Sequence, residues 1–454
     1  MFRKASHIHF VGIGGSGMSG IAEVLINLGF NVSGSDTSES AAVKHLMKVG
    51  AKVFIGHAAQ NVNGSDVVVT STAINPDNVE VEEAKIKQVP IIRRAEMLAE
   101  LMRLKHSIAV AGAHGKTTTT SLIATILNKA DMDPTVVIGG RLNSLGSGAK
   151  LGTGEYIVAE ADESDGSFLS LSPTIAVLTN IDFEHVDHYI TMEAILNAFK
   201  NFVNKVPFYG KIILNIDDQH IQSILPDINK KYVTYGLSSN ANISARDLCS
   251  KDGMQSFILK VNGESHGEVK VAMHGIHNVY NTLAAIATAV ELGIDINVAE
   301  KALKTFEGIE RRFQLKGEIN GIKVYDDYGH HPAEIKLTLQ GFKTLYPEKK
   351  LVVLFQPHRY TRTVHLEKEF ETSFYDADII LLLDIYSAGE KAIEEVSSEK
   401  LTEGIRQYGH RHVEYLPQRA KVNERLNELL NKDCVLLTLG AGDVWKEGES
   451  FLHG

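Results

Sequence analysis

Short β-branched and apolar runs alternate with stretches of helical apolar periodicity along the whole chain, a pattern that predicts parallel α/β architecture. The first cycle has a strand at 7–11, a glycine-rich turn at 12–17 and a helix through Leu28 closed by Gly29. Strands are then expected at 30–35, 51–55 and 67–70, helices at 79–87 and 91–104, and a linker at 105–107. The charges of 79–87 fall at helical spacing and predict a solvated face. A second cycle has strands at 108–111, 136–140, 156–159, 174–179 and 211–215, with a helix over 118–129 and an alanine-rich one running to Leu292. A third has strands at 323–325, 351–356, 379–383 and 435–439, and a helix starting at Pro332. The expected fold is therefore α/β in three domains: a Rossmann-like one at 1–106, a central P-loop ATPase-like parallel sheet at 107–313, and a second Rossmann-like one at 314–454.

Composition narrows the setting without changing this picture. An apolar content of 44% and a charged content of 22% are those of a globular protein. The net charge of −10 argues against a general nucleic-acid or anionic-membrane surface, so any phosphate site must be local. No apolar run approaches the ~18 residues that span a bilayer, and residues 1–10 lack the apolar centre of a targeting segment. Cys249 and Cys434 are far apart and lack metal-ligand spacing, which points to two ordinary thiols and a cytoplasmic setting.

The candidate chemistry gathers at strand ends. After the strand at 108–111 come Gly112, Ala113, His114, Gly115, Lys116, Thr117 and Thr118, a turn that can bind phosphate through backbone N–H groups, a helix N-terminus and the lysine. Its spacing is shorter than the common G-x-x-x-x-G-K-[ST] form. The strand at 156–159 runs into Glu160, Asp162, Glu163 and Asp165, carboxylates that need counter-charge, and beside a Lys-Thr turn Mg²⁺ supplies it. A second polar cluster, 180–188 with His185, suggests two metal positions. Asn278 and Asn281 share one helix face and can either cap the helix or read an adenine edge. Arg311 and Arg312 can contact phosphate or lie on the surface. Arg359 and Arg362, three apart, can clamp a carboxylate.

In the first region Gly14, Gly15, Ser16 and Gly17 belong to a G-x-G-x-x-G fingerprint, with Asp36 about 20 residues later where a ribose or base edge would sit. The same geometry suits a dinucleotide or any diphosphate-linked nucleotide. His57, Ser71 and Thr72 lie at strand ends where open α/β sheets take ligands.

Taken in order, GIGGSGMSG, GSD and STA, then GAHGKTTTT, EADESD, NIDFEHVDHY and HNVYN, then ERRF, DDYGHHP, FQPHRYTRT and GAGD resemble the Mur ligase family of ATP-dependent amide-bond-forming enzymes from end to end. The shortened phosphate turn is the form that family uses. The resemblance implies UDP-N-acetylmuramate and L-alanine as partners, no nucleic acid or membrane, a monomer or weak homodimer, and ATP with two Mg²⁺ ions. It implies that the fingerprint holds the UDP part of a UDP-sugar, that Lys116 meets the ATP phosphates, and that Thr117, Glu160 and His185 hold metal. It further implies Asn278 and Asn281 at the adenine, Arg312 near the phosphates, Asp327 at the ribose, and His330, Arg359 and Arg362 at the amino acid. His330 is the candidate general base. Lys200 has the spacing of a carbamylated lysine in sister ligases, but the alanine-adding branch lacks one and Lys200 is left out. A ligase that joins a tripeptide to the same UDP-sugar, a nicotinamide oxidoreductase and a nucleotide-switched binding protein are the alternatives.

Overall fold

The computed structural model describes residues 6–15, 17–71, 73–138, 149–184, 188–251 and 254–453. The chain forms two compact units, one of Met1–Asp247, Phe257–Val271 and Tyr280–Glu307, the other of Leu248–Ser256, Ala272–Val279 and Gly308–Gly454.

The first sheet consists of β1 (His7–Val11), β2 (Asn31–Asp36), β3 (Lys52–Ile55), β4 (Val67–Thr70) and β5 (Ile91–Arg93), in the order β3-β2-β1-β4-β5. All its pairings are parallel. Strand order reverses between β1 and β4, so their carboxyl ends, which carry the glycine-rich turn and Ser71, open the crevice where such sheets bind ligands.

The second sheet is built from β6 (His106–Ala111), β7 (Thr135–Val137), β8 (Ala149–Lys150), β9 (Tyr156–Glu160), β10 (Ile175–Leu178), β11 (Lys211–Asn215), β12 (Tyr232–Gly236), β13 (Ile243–Lys251), β14 (Met254–Val261) and β15 (Glu264–Val271). Its order is β15-β14-β13-β12-β11-β10-β6-β9-β7-β8, with parallel pairing from β13 through β7 and an antiparallel edge at β8. Strands β6 and β10 are buried on both faces, which explains their unbroken apolar runs. One apolar core extends under both sheets of the first unit, from Ile8, Phe10 and Ile21 to Leu178, Phe199 and Phe202. Each such side chain contributes about 2–3 kcal/mol by leaving water.

The second unit carries β16 (Gln314–Ile319), β17 (Ile322–Asp327), β18 (Lys350–Phe355), β19 (Ile379–Leu382), β20 (Val413–Tyr415) and β21 (Cys434–Leu439), in the order β16-β17-β21-β18-β19-β20. Only the β16–β17 pair is antiparallel. Asp327 and Phe355 both lie opposite Leu439, so β17, β21 and β18 end level on one edge.

Several sequence expectations are corrected. The segment 91–104 is a strand followed by the helix Arg94–Met102, because Ile91 and Ile92 pair with β4. The expected linker at 105–107 is absent, since His106 and Ser107 already belong to β6. The helix after the phosphate turn starts at Lys116, before Thr118. The face of Val79–Ile86 is not uniformly solvated, because Glu80 is fully buried beside Val81 and Ala84. The expected strand at 136–140 is a strand to Val137, and 139–140 lie outside the described residues. Both cysteines are free thiols.

Candidate active site

The turn Gly112–Gly115 is held from the side by the carboxyl end of β10. Gly112 has φ +133°, and a Cβ there would lie 2.1 Å from Thr179 Oγ1, so only glycine fits. Thr179 Oγ1 and Asn180 Nδ2 donate to the His114 carbonyl at 2.6 and 3.0 Å, and Asn180 Oδ1 accepts from His114 N at 2.8 Å. His114 Nε2 meets Asp182 at 3.2 Å. The helix Lys116–Lys129 has no acidic residue in its first turn to compete with a bound anion.

Lys116 folds back over this turn. Its Nζ donates to Gly112 O at 2.6 Å, Ala113 O at 3.1 Å and Glu163 Oε1 at 2.7 Å. Burial disfavours its charge, but Glu163, Asp162 and Glu184 outweigh that and hold its pKa above the ordinary lysine value. Thr117 is part-buried and Thr118 buried. Glu160 ends β9 and lies opposite Val110 of β6, so its carboxylate belongs to the sheet edge from which the turn springs. The Thr117 hydroxyl and the Glu160 carboxylate are oxygen donors of the kind a hard cation such as Mg²⁺ takes. Asp162 pairs with Arg94 at 2.9 Å. Burial pushes the Asp162 pKa up, but Arg94 and Lys116 win and it lies below the usual carboxylate range. Tyr189 Oη donates to the Glu163 carbonyl at 2.9 Å.

The two asparagines have different partners. Asn281 Oδ1 accepts from Thr119 Oγ1 at 3.2 Å, and a Cβ on Gly115 would lie 2.4 Å from that oxygen, so Asn281 packs on the phosphate turn. Asn278 Nδ2 donates to His274 O at 2.6 Å. Lys200, left out of the candidate set, pairs with Asp227 at 3.2 Å.

At the first sheet, Gly14 N donates to Asp36 Oδ2 at 2.9 Å, and a Cβ on Gly14 would press on Asp36 and Val43. Gly15 N bonds Gly12 O at 3.1 Å, and Gly17 lies beside Arg94. Gly56 N donates to Asp36 O at 2.8 Å, which sets His57 next to Asp36 on the carboxyl edge. Ser71 is half-buried just past β4. Ser16, Thr72 and His185 lie outside the described residues.

In the second unit the predicted residues gather at the level edge of β17, β21 and β18. Adjacent arginines diverge: Arg311 Nε bonds Asp326 at 2.8 Å, and its other nitrogens bond the carbonyls of Gly440 and Gly442 at 2.6 and 3.0 Å. Arg312 instead pairs with Glu334 at 3.3 Å and lies over the Tyr328 ring. Burial works against the Arg312 charge, but Glu334 and Asp327 raise its pKa above the ordinary value. Asp327 accepts Phe313 N and Gly329 N, each at 2.7 Å, yet burial still pushes its carboxyl up to about 6. His330 Nδ1 lies 3.1 Å from Tyr328 O and 3.4 Å from Glu334. Arg362 reaches His358 Nδ1 at 3.3 Å, and Arg359, at φ +70°, lies 3.8 Å from Glu390. Burial first, then His330 and the arginines, lower the His358 pKa to about 3.

Sequence reading missed Glu163 as the partner of Lys116, the hold of Thr179 and Asn180 on the turn, and the tie from Arg311 to the 440–442 loop. Each joins residues far apart in the chain, and no local pattern announces such a pair.

Three family models cover the chain: the Mur ligase family catalytic domain at 7–106, the Mur ligase middle domain at 110–289 and the Mur ligase glutamate ligase domain at 311–442. The chain is 55% identical to a UDP-N-acetylmuramate–L-alanine ligase of Geobacter sulfurreducens, covering 100% of this chain and 98% of that one. It is 52% identical to the ligase of the same name from Desulfatibacillum aliphaticivorans, covering 100% and 99%. Among solved structures, the UDP-N-acetylmuramate–alanine ligase MurC of Thermotoga maritima superposes with a TM-score of 0.84 at 29% identity, covering 98% of each chain. A murein peptide ligase of Psychrobacter arcticus gives 0.73 at 25% identity, covering 99% and 98%.

Proposed function

The chain belongs to the Mur ligase family, and on that premise we propose that it joins L-alanine to the lactyl carboxylate of UDP-N-acetylmuramate, releasing ADP and phosphate, in peptidoglycan precursor synthesis. The observation that carries this reading is the whole-length identity of 55% and 52% to ligases of that name. The working division is a UDP-sugar domain at 1–106, an ATP domain at 107–313 and an amino-acid domain at 314–454. A cytoplasmic setting is part of the proposed reading. Among the described residues no helix is long and apolar enough to cross a membrane.

A carboxylate is a poor electrophile, so the lactyl oxygen attacks the γ-phosphorus of ATP, the β–γ bridging bond breaks, and an acyl phosphate and ADP form. The amine of L-alanine then attacks the acyl carbon, and phosphate leaves with the C–O electron pair as the amide forms. Lys116 leaves Glu163 and its turn carbonyls to meet the ATP phosphates, and the turn N–H groups bind them. Thr117, Glu160 and His185 would hold Mg²⁺, in two positions, and the ion when bound would supply neutralisation of phosphate charge. Arg359 and Arg362 orient the alanine carboxylate. His330, whose Nδ1 lies 3.1 Å from the Tyr328 carbonyl, is the proposed base for the alanine ammonium. Arg312, Asp327, Asn278 and Asn281 position the nucleotide.

ADP release is expected to require UDP-N-acetylmuramate and L-alanine together; release with L-Ala-γ-D-Glu-diaminopimelate in place of L-alanine would assign the chain to the tripeptide-adding branch. For His330→Ala, an unchanged rate and pH profile would remove its role as base.

A further inference from the structure

The first sheet hides a polar network that the reaction above does not use. Glu80 is fully buried, and both its oxygens are taken. Oε1 accepts from Asn61 Nδ2 at 2.6 Å and from Ala58 N at 3.2 Å. Oε2 accepts from Ser35 Oγ at 2.5 Å and meets His9 Nε2 at 3.3 Å. Burial pushes this carboxyl up, but the bonds from His9, Ser35, Asn61 and Ala58 outweigh it and hold the pKa near 2. Ser35 is itself fully buried, and its Oγ lies 2.9 Å from His57 Nδ1. The ring of His57 is only 20% exposed, and Glu80 Oε2 lies 3.7 Å from its Nδ1.

The hydrogen bonds of this chain place a proton on His57 Nδ1. A carboxylate has no proton to give, so the single hydroxyl proton of Ser35 goes to Glu80. The Ser35 oxygen can then only accept from its other neighbour, and the N–H must sit on His57 Nδ1. In the neutral ring Nε2 is left as an acceptor.

We infer that Glu80 is a positioning residue for the UDP-sugar site: through Ser35 it fixes His57 as the Nδ1–H tautomer, so that Nε2 receives an N–H or O–H donor of the bound uridine. This rests on the reading that the first sheet holds UDP. The place of the ring supports it, because Gly56 is bonded to Asp36, which in turn bonds Gly14 of the glycine-rich turn. Two donors on a uridine fit the chemistry, the imide N–H of the base and a ribose hydroxyl.

The test uses full-length protein labelled with ¹⁵N-histidine, the His57 signals being assigned by their loss in His57→Gln. Unmodified protein is expected to show His57 as Nδ1–H, with an Nε2 resonance that moves when UDP is added. UDP methylated at the imide nitrogen should leave it unmoved if the base is the donor, and move it if the ribose is. Glu80→Gln is expected to mix the tautomers and raise KM for UDP-N-acetylmuramate about tenfold, the worth of one buried hydrogen bond, with kcat and KM for ATP within twofold of the parent. His57 as Nε2–H in the unmodified protein would overturn the inference without any variant, as would an unchanged tautomer and KM in Glu80→Gln. A correct tautomer that depends on Glu80 but ignores UDP would instead overturn the placing of UDP on the first sheet.

Discussion

Two buried carboxylates, one in each compact unit, show opposite electrostatics. Glu80 beneath the first sheet collects donors from two side chains, a backbone N–H and His9, and its carboxyl is held near 2. Asp327 at the end of β17 has two backbone N–H groups and the nearby Arg312, and burial still drives it up to about 6. Two carboxylates withdrawn from water thus meet opposite outcomes: the donors around Glu80 outweigh burial, whereas at Asp327 two backbone N–H groups and Arg312 do not, and Glu334 adds a like charge. Glu80 is completed by the protein alone. Asp327 lies at the edge where a nucleotide is proposed to bind, with one backbone N–H on each oxygen. Lys116 likewise stands where a nucleotide is proposed to bind, and its partners Glu163 and the turn carbonyls are ones that phosphates would replace.

The largest expected effect tests whether such edge charges serve the reaction. Lys116→Met should lower kcat/KM for ATP about 10³-fold, the scale of losing a donor to developing charge, with little change in the urea midpoint. A loss under tenfold would place Lys116 in the fold's service.

The two carboxylates should then separate by the pH dependence of stability. Glu80 has a folded value near 2 against 4.5 unfolded, so its contribution, on the order of 3 kcal/mol, is complete above about pH 5 and is lost as pH falls toward 2. The stability deficit of Glu80→Gln should therefore shrink across that fall. Asp327 has a folded value near 6 against 3.8, so it contributes nothing below about pH 4 and costs stability, again on the order of 3 kcal/mol, once pH has risen past 6. Asp327→Asn should accordingly improve relative to the parent as pH rises from 4 to 7. Urea unfolding at each pH measures both, and parallel slopes for the two variants would break the comparison.

The smallest expected effect concerns the amino-acid end. Arg362→Lys keeps the charge but loses the planar fork, and should raise KM for L-alanine about tenfold with kcat little changed. An equal rise in KM for ATP would show that Arg362 does not distinguish the amino acid.

Much of this was legible in the chain itself. The strand-turn-helix at 106–129, the fingerprint at 12–17 and the strand ends carrying Glu160, Asp327 and Arg359 follow from period and turn chemistry, which are local. The pattern of 91–104 predicts helix throughout, because three residues are too few to show a period of two, and only pairing with β4 makes Ile91–Arg93 a strand. The sequence pattern predicts no strand at β12 to β15. The charges of 79–87 predict a solvated face that takes in Glu80 with Glu82 and Glu83, although its spacing from Ala84 puts it on the apolar side; what singles it out is contact with β1, β2 and the 58–61 segment. The shortened turn is braced by Thr179 and Asn180, some 65 residues away in sequence.

The proposed reaction activates a carboxylate as an acyl phosphate and passes it to L-alanine. The direct measurement is a turnover with UDP-N-acetylmuramate carrying ¹⁸O in the lactyl carboxylate, followed by mass analysis of the products. The predicted result is one ¹⁸O in the released phosphate for each UDP-N-acetylmuramoyl-L-alanine formed; amide formation with unlabelled phosphate, or labelled phosphate with no alanyl product, would contradict it.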